Sequence, residues 1–430
     1  MKSLLRLTSL MVLLVTYAAL ADDWPQWRGE NRDGVWEEDD LVKKFKAKRL
    51  EPLWTAEIGA GYSGPTVAEG RVFITDRLVE PEQVERVHCF DSKSGRRLWS
   101  HSYECPYTIS YQAGPRASVT IDDDRAFALG AMGHLHVYDA GSGVVLWKKD
   151  LNKQYKIRMP IWGIAAAPLI YDDLVILHIG GEGDACIVAL DKETGEEEWT
   201  ALRDRAQYAA PIIVEQGGED VCVCWTGDSV AGLNPENGKV HWRIPFPARK
   251  MPIGISTPVV SGNRLFLTSF YDGSLMLKLN EDRPDAEKLW HRVGRSERDT
   301  DALQSIIATP LFLGDYIYGV DSYGELRCLQ ADNGDRVWED QTATPRARWS
   351  NIHMVQNGER TWMFNERGDL IIARLTPRGY DEIDRAHIIA PTEEQLRQRG
   401  GVCWAHPAFA DKCIFIRNDE KLICVDLEED

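Results

Sequence analysis

Short runs of apolar residues recur along most of the chain and alternate with turns rich in Gly, Asn and Asp. Many units open on a proline followed by an apolar run, as in Pro65-Thr-Val, Pro168-Leu-Ile and Pro258-Val-Val, and further apolar runs follow. β-branched and aromatic residues dominate these runs, which is typical of short strands broken by tight turns. The pattern predicts an all-β protein.

A nine-residue segment that ends in tryptophan repeats along the chain, for example Asp91-Ser-Lys-Ser-Gly95-Arg-Arg-Leu-Trp99. Its fifth residue is glycine, which supplies the positive φ that a tight hairpin requires. Trp290 ends a variant with a longer turn, and Trp54 follows Glu51-Pro-Leu without the preceding half. We expect the tryptophans of this slot to dock neighbouring units against each other, and they are Trp54, Trp99, Trp147, Trp199, Trp242, Trp290 and Trp338.

Four strands in each unit of roughly 45 residues are typical of a β-propeller blade. The units lie at about 63–99, 115–147, 166–199, 209–242, 256–290, 308–338, 351–389 and 407–427. The eighth unit stops after its third strand, where a tryptophan strand is due. We therefore predict an eight-bladed propeller of four-stranded antiparallel blades, in which residues 51–57 complete the last blade and close the ring.

The N-terminus has the pattern of an export signal. Lys2 and Arg6 precede an apolar stretch that ends in Ala19-Leu20-Ala21, and two acidic residues follow. The expected organisation is a signal peptide over 1–21, an N-terminal arm over 22–49 and a propeller over 50–430. The expected location is the periplasm or the exterior after cleavage near Ala21; a retained N-terminal anchor is the alternative. No later apolar stretch is long enough to predict a transmembrane helix.

The 430 residues carry 67 acidic and 50 basic side chains, a net charge of −17. Such acidity argues against nucleic acid as a partner for the whole surface. The nine cysteines are odd in number and scattered; Cys89, Cys328 and Cys424 occupy one slot in different units, while a disulfide that involves Cys105, Cys186, Cys403 or Cys413 stays open.

The Gly and Trp unit over most of residues 50–427 resembles the PQQ-like propeller repeat of quinoprotein alcohol dehydrogenases and of the outer-membrane assembly lipoprotein. The segment Asp23-Trp24-Pro-Gln-Trp27-Arg is similar to the start of exported PQQ-like proteins of planctomycete-type bacteria. The repeat is an architectural device, so the resemblance predicts the fold more firmly than the function.

The resemblance implies a channel that could hold PQQ and calcium. Glu182, Asp184 and Asp228 lie near the positions of the family's calcium ligands and would offer the oxygens a hard cation prefers; ordinary turn formation is the alternative reading of these residues. The dehydrogenases also carry an adjacent Cys-Cys pair against the quinone. The nearest equivalent here is Cys222-Val-Cys224, whose sulfurs we expect the strand to keep apart.

The crossovers between units should gather on one face and carry the function, because the strands are committed to packing. These segments hold 17 basic and 11 acidic residues, so this face is locally basic on an acidic protein. Guanidinium groups among flat rings suit an anionic ligand, and salt bridges between blades are the alternative. The predicted ligand-binding residues are Arg116, Arg158, Trp162, Arg205, Tyr208, Lys250, Arg298, Arg348, Trp349 and Trp404.

No nucleophile, zinc or nucleotide motif is recognisable, so the catalytic residues are unknown and the sequence favours a non-catalytic protein. We predict an exported, monomeric binding scaffold whose crossover face takes an anionic small molecule, an acidic polysaccharide or an envelope protein. The alternatives are a quinoprotein oxidoreductase that uses PQQ and calcium, and an outer-membrane assembly role in which unfinished strands pair with a sheet edge.

Overall fold

The computed structural model describes residues 23–429, so the predicted signal peptide lies outside the described residues. Its eight sheets each contain four antiparallel strands, which confirms the predicted eight-bladed propeller. The first strands of successive blades neighbour one another around the channel, and each blade continues outward from there.

The strands of the first four blades run from the channel outward. In blade 1 they are β2 (Thr66–Ala68), β3 (Arg71–Leu78), β4 (Val84–Asp91) and β5 (Arg97–Glu104); in blade 2, β6 (Thr120–Asp122), β7 (Arg125–Leu129), β8 (His134–Asp139) and β9 (Val145–Asp150); in blade 3, β10 (Leu169–Tyr171), β11 (Leu174–His178), β12 (Ile187–Asp191) and β13 (Glu197–Ala201); in blade 4, β14 (Ile212–Gln216), β15 (Glu219–Trp225), β16 (Ser229–Leu233) and β17 (Val240–Pro245).

The other four blades follow the same order, except that the last takes its outer strand from the N-terminal side. In blade 5 the strands are β18 (Val259–Ser261), β19 (Arg264–Ser269), β20 (Gly273–Leu279) and β21 (Ala286–Arg292); in blade 6, β22 (Leu311–Leu313), β23 (Tyr316–Val320), β24 (Leu326–Gln330) and β25 (Arg336–Asp340); in blade 7, β26 (Ile352–Asn357), β27 (Arg360–Asn365), β28 (Asp369–Thr376) and β29 (Gly379–His387); in blade 8, β30 (Ala408–Ala410), β31 (Cys413–Arg417), β32 (Lys421–Asp426) and β1 (Trp54–Glu57).

The ring closes through β1, as the sequence predicts. Trp54 pairs with Cys424 and Glu57 with Lys421 in an antiparallel register. Within residues 23–429, the helices are α1 (Leu151–Tyr155) and a 3-10 turn (Arg397–Arg399), both in crossovers. None of the helices in this part of the chain is long and apolar enough to cross a membrane.

The core lies between the blades, because successive side chains of each middle strand point to opposite faces of the sheet and pack against the blade on either side. In β11, Val175 and Leu177 pack in a cluster with side chains of blade 2, whereas Ile176 packs in a cluster with side chains of blade 4. Each middle strand is therefore apolar on both faces, and a blade separated from its neighbours would expose both of them.

The slot tryptophans join each blade to the next. The indole Nε1 of Trp99 donates to the carbonyl oxygen of Ala140 at 2.9 Å, and that of Trp147 donates to Lys192 at 3.0 Å. Trp54, Trp199, Trp290 and Trp338 reach the following blade in the same way. Trp242 instead donates to Gln216 of its own blade, whose amide reaches the carbonyl oxygen of Asp285 in blade 5.

The N-terminal arm closes the channel from one side. It begins beside the β2–β3 turn, where Trp24 pairs with Val67, and it leaves beside the end of β26, where Val35 pairs with Gln356. Both points lie towards the face opposite the crossovers, because each inner strand starts at the crossover face. Between them the chain enters the channel, and the Nε1 of Trp27 donates to the hydroxyl of Thr257 at 2.7 Å. Among the residues that the structure describes, the arm therefore closes this end of the channel, and the channel opens at the crossover face.

Candidate functional site

The crossover face carries two adjoining cavities. The channel pocket lies over Trp27 on the propeller axis and has a volume of about 150 Å³. The basic cleft lies beside it, between the crossovers that enter blades 3, 4 and 5, and has a volume of about 680 Å³. Tyr208 lines both cavities. The two cavities meet at Tyr208, and together they make up the candidate site.

The channel pocket is walled by aromatic rings that come from separate crossovers. The rings of Trp162 and Tyr208 stack with centroids 5.3 Å apart, and Tyr111 stands edge-on to Trp162 at 5.8 Å. Trp349 lies 6.3 Å from Tyr111 and 6.5 Å from Trp404. Large rigid rings cost little side-chain entropy when they contact a ligand, so the wall suits a flat, apolar molecular surface.

Two of these rings are held by strained backbone. Tyr111 has a φ of 56° and Trp349 a φ of 68°, which is the left-handed region that bulky residues rarely adopt. The backbone N–H of Trp349 donates to the carbonyl oxygen of Ser322 at 2.9 Å and fixes this conformation. Strain of this kind concentrates at functional sites because surrounding structure must pay for it, so it supports the pocket as a place of binding.

Two buried histidines complete the pocket. The Nε2 of His353 lies 2.9 Å from the carbonyl oxygen of Trp404, and the Nε2 of His406 lies 2.7 Å from the hydroxyl of Ser118. Burial lowers the pKa of His353 to about 4 and that of His406 to about 3. Both imidazoles are therefore neutral near pH 7, and they add polar edges without adding charge.

Arg116 supplies a positive charge at the pocket wall. Its guanidinium donates to the backbone carbonyl oxygens of Ser110, Tyr111 and Gly114 and lies 4.9 Å from the ring centre of Tyr62. It has no carboxylate partner among residues 23–429. The charge is consequently rigidly placed and left uncompensated.

Arg158 and Lys250 face the basic cleft without a carboxylate partner in the described chain. Both side chains are exposed, and the Lys250 ammonium lies 4.6 Å from the ring centre of Tyr271. Arg205 also lines the cleft, but its guanidinium lies 2.7 Å from a carboxylate oxygen of Asp228. The cleft thus holds two cations whose charge is available to a ligand.

The remaining predicted arginines lie outside both cavities. Arg348 forms a 2.7 Å ion pair with Glu297 and covers the ring of Trp349 at 4.5 Å, so its contact with the pocket is indirect. Arg298 donates to the hydroxyl of Tyr323 at 3.2 Å. The structure therefore brings Arg116, Trp162, Tyr208, Trp349 and Trp404 together in the pocket, and Arg158, Arg205, Tyr208 and Lys250 in the cleft.

The three residues that the resemblance implies for calcium do not converge on one point. Each carboxylate is paired with a different cation: Glu182 with Lys156 at 3.5 Å, Asp184 with Arg203 at 2.5 Å, and Asp228 with Arg205 at 2.7 Å. No group of three or more His, Cys, Asp or Glu side chains within residues 23–429 is arranged to hold a metal ion. This donor set does not fit calcium, because the three cations already occupy its oxygens.

The cysteine pair differs from the sequence-based expectation. Residues two apart on a strand point to the same face, and the sulfurs of Cys222 and Cys224 lie 3.7 Å apart. Both are buried in the cluster between blades 3 and 4, and the hydrogen bond with Cys222, together with burial, raises the pKa of the Cys224 thiol. They lie away from the channel pocket, so they do not reproduce a cysteine pair packed against a ligand there. All nine cysteines are free thiols in the structure.

Sequence reasoning missed Trp27, His353 and His406 as pocket residues. Trp27 lies in the arm, outside the repeat, whereas His353 lies in the first strand of blade 7 and His406 just before the first strand of blade 8. Their convergence depends on ring closure and on the path of the arm. A spacing rule along the chain therefore contains no signal for them.

The comparisons with known proteins agree with this architecture. A protein-family profile described as outer membrane protein assembly factor BamB matches residues 83–253 and 213–430. The quinoprotein alcohol dehydrogenase PedH of Pseudomonas putida is 30% identical over 165 residues, which cover 36% of this chain and 26% of that protein. The assembly factor BamB of Shewanella oneidensis is 22% identical over 219 residues, 50% of this chain and 54% of that protein.

A solved structure shows the same fold at low sequence identity. The quinohemoprotein alcohol dehydrogenase from Comamonas testosteroni superimposes with a TM-score of 0.65 at 13% identity, over 95% of this chain and 81% of that one. The match covers only about a quarter to a half of the length of these curated relatives. Because the family profile covers most of the propeller, this chain belongs to the family described as outer membrane protein assembly factor BamB, whose relatives include quinoprotein alcohol dehydrogenases.

Proposed function

We propose that this protein is an exported binding propeller that takes up a small anionic molecule, with a flat ring of that molecule inserted into the channel pocket. The observation that carries the proposal is the blind, aromatic pocket closed beneath by Trp27. An apolar protein cavity of ~150 Å³ accommodates benzene, so the volume of the pocket matches one ring. A closed floor also disfavours an extended chain that would have to thread the channel.

The charge around the pocket supports an anion. Arg28 and Arg32 of the arm are buried near it, and Arg32 donates to the carbonyl oxygen of Ala167, a pocket residue, at 3.4 Å. Burial lowers the pKa of Arg28 to about 10 and that of Arg32 to about 9, so both stay charged near pH 7. Neither forms an ion pair within residues 23–429. Together with Arg116, they favour a negative charge at the pocket.

The test is a calorimetric titration with N-benzoylglycine, which carries one ring and one carboxylate, beside its neutral amide. We expect the carboxylate to bind at least tenfold more tightly than the amide. Trp162→Ala and Trp349→Ala should each weaken binding by roughly two- to tenfold or more, because stacked rings contribute ~0.5–1.5 kcal/mol in addition to the apolar area that they bury. Val144→Ala, at an exposed position of blade 2, is the control and should bind as the wild type does.

Failure of N-benzoylglycine, of larger aromatic acids and of PQQ to bind at millimolar concentration would refute the proposal. PQQ is itself a flat polyanion, so its uptake would support the pocket without establishing catalysis. A quinone absorption band and dye-linked alcohol oxidation with added PQQ and calcium would be needed for the oxidoreductase alternative, and the paired carboxylates argue against the calcium it needs.

An envelope-assembly role is the second candidate, and the family match favours it. The outer strands carry charged residues, such as Lys148 and Lys149 on β9 and Glu197 and Glu198 on β13, which discourage strand addition at those edges. A partner would therefore bind the crossover face. Cross-linking in intact cells, followed by identification of partners, separates this role from small-molecule binding: specific capture of assembly proteins that Trp349→Ala abolishes would support it.

A further inference from the structure

The basic cleft is larger than the channel pocket and meets it at Tyr208. The pocket holds a ring, so any ligand long enough to leave the pocket on this side passes over Tyr208 into the cleft. The cleft wall is built by three consecutive crossovers and by the hairpin of blade 3, which contains Gly180, Gly181 and Gly183. These elements are fixed by the propeller, so the cleft is a permanent feature of the crossover face.

The basic residues of the cleft fall into two groups. Lys156, Arg203 and Arg205 are each paired with a carboxylate, as described above. Arg158 and Lys250 are not, and they come from different crossovers, the one that enters blade 3 and the one that enters blade 5. The cleft is lined by five basic side chains and by two acidic ones, Glu182 and Asp204, so its net charge is positive and attracts an anion.

Tyr208 offers a further donor where the cavities meet. Its side chain is only 4% exposed, and its hydroxyl oxygen accepts a hydrogen bond from the backbone N–H of Trp162 at 3.2 Å. The hydroxyl proton has no acceptor within residues 23–429, and burial raises the pKa of Tyr208 to about 12. The phenol therefore stays protonated near pH 7 and can donate to a ligand group that crosses from pocket to cleft.

We propose that the cleft is an oxyanion subsite, with Arg158 and Lys250 as its cations and Tyr208 as the donor at its entrance. The inference rests on the proposed function, because it makes the ligand a ring compound with a second anionic group, a carboxylate or a phosphate, on a flexible arm. The ring occupies the channel pocket and the second anion occupies the cleft. Linking two weak contacts in one molecule raises affinity without any new contact, because the second binding event becomes intramolecular.

The experiment compares three probes by calorimetry at low salt. N-benzoylglycine has the ring and one carboxylate, N-benzoylglutamate adds a second carboxylate, and N-benzoyl-O-phosphoserine adds a phosphate. We expect at least one of the two-anion probes to bind tenfold or more tightly than N-benzoylglycine, and the stronger of the two identifies the oxyanion. The double variant Arg158→Gln with Lys250→Gln should lose this gain and leave N-benzoylglycine within threefold of wild type.

The matched control is Lys93→Gln, which removes one positive charge from an exposed turn on the opposite face and should keep the full gain. Both cleft side chains are exposed, so circular dichroism of the variants should match the wild type. A gain that persists in the double variant, or no gain for either two-anion probe, overturns the subsite.

Citrate, which has three carboxylates and no ring, separates the two proposals. If N-benzoylglycine fails to bind, the pocket proposal fails, and citrate then tests the cleft alone. Citrate that binds the wild type and is weakened at least fivefold by the double variant supports the cleft. Citrate that binds both equally, or neither, overturns it.

Discussion

The turn glycines and the slot tryptophans make one joint, and Gly238 offers a sharp test of it. Gly238 ends the turn between β16 and β17 with a φ of +71°, and it lies against the ring of Trp199 from blade 3. A Cβ added there would lie 2.5 Å from Cε3 of Trp199 and 2.8 Å from its Cδ2. Trp199 is also fixed, because its Nε1 donates to the carbonyl oxygen of Pro235 at 3.0 Å.

Gly238→Ala therefore carries two costs. The left-handed backbone costs a residue with a Cβ ~1–2 kcal/mol, and forcing a methyl into a packed contact adds ~1–3 kcal/mol. Gly262 allows the backbone cost to be measured without the packing cost, since it has a φ of +56° and no atom lies within 4 Å of an added Cβ. Gly262→Ala should thus show the backbone cost alone, and Gly238→Ala should exceed it by about 1–3 kcal/mol.

The assay is equilibrium unfolding in urea followed by circular dichroism, with the Trp199→Leu background as a double-mutant cycle. Removing the indole should relieve the clash, so Gly238→Ala in that background should cost about as much as Gly262→Ala, ~1–2 kcal/mol. If Gly238→Ala costs no more than Gly262→Ala, or if Trp199→Leu leaves its cost unchanged, the contact between turn and indole does not hold the blades together.

Two further predictions concern the channel. His353 and His406 are neutral in the fold down to a pKa of about 4 and about 3, whereas in the unfolded chain they gain protons below their ordinary pKa of 6.5. The stability that comes from the neutral, buried histidines is therefore present above pH 6.5 and is lost as the pH falls towards 4. At pH 5 each histidine should lower the free energy of unfolding by ~2 kcal/mol. The urea midpoint of His406→Asn should consequently fall less between pH 7 and pH 5 than that of the wild type. Trp24→Ala, in the arm, deletes a side chain that is 2% exposed and should cost ~3–5 kcal/mol. It should also let trypsin cut after Arg28 and Arg32, which are 7% and 4% exposed in the wild type, while the propeller stays resistant; unchanged digestion would show that Trp24 does not anchor the arm.

The fold was predictable from the sequence because its determinants are local and repeated. The glycine of each turn and the tryptophan four residues later act within one hairpin, and their partner is the same feature of the next blade. Even the ring closure by residues 51–57 follows from a missing fourth strand. Five turn glycines, each against the indole of the preceding blade, repeat the same geometry along the chain.

The arm was recognised as a segment, but its position could not be predicted. Its contacts occur once and join distant residues: Trp27 and Thr257 are 230 positions apart, and Arg32 reaches Pro211 across 179. The repeat along the sequence contains no indication that such distant residues make contact. The blind channel, on which the proposed function depends, is therefore a property of the folded ring alone.

The charge of the crossover face was overestimated for a physical reason. The count covered the crossovers but not the middle hairpins, which project onto the same face. Asp228 and Glu366 lie in those hairpins, and they neutralise Arg205 and Arg399 of the crossovers. Salt bridges between neighbouring segments thus involve a large share of the arginines on this face.

This compensation sharpens the functional argument. Most cations of the crossover face have a carboxylate within 4 Å, so their positions are set by the propeller and they contribute little to recognition. Three cations without such a partner line the two cavities, Arg116 at the pocket and Arg158 and Lys250 at the cleft. A bound anion can reach these three cations because they border open space, so anion affinity should be concentrated at the two cavities. Substitution of the paired arginines should therefore alter stability, whereas substitution of the unpaired cations should alter binding.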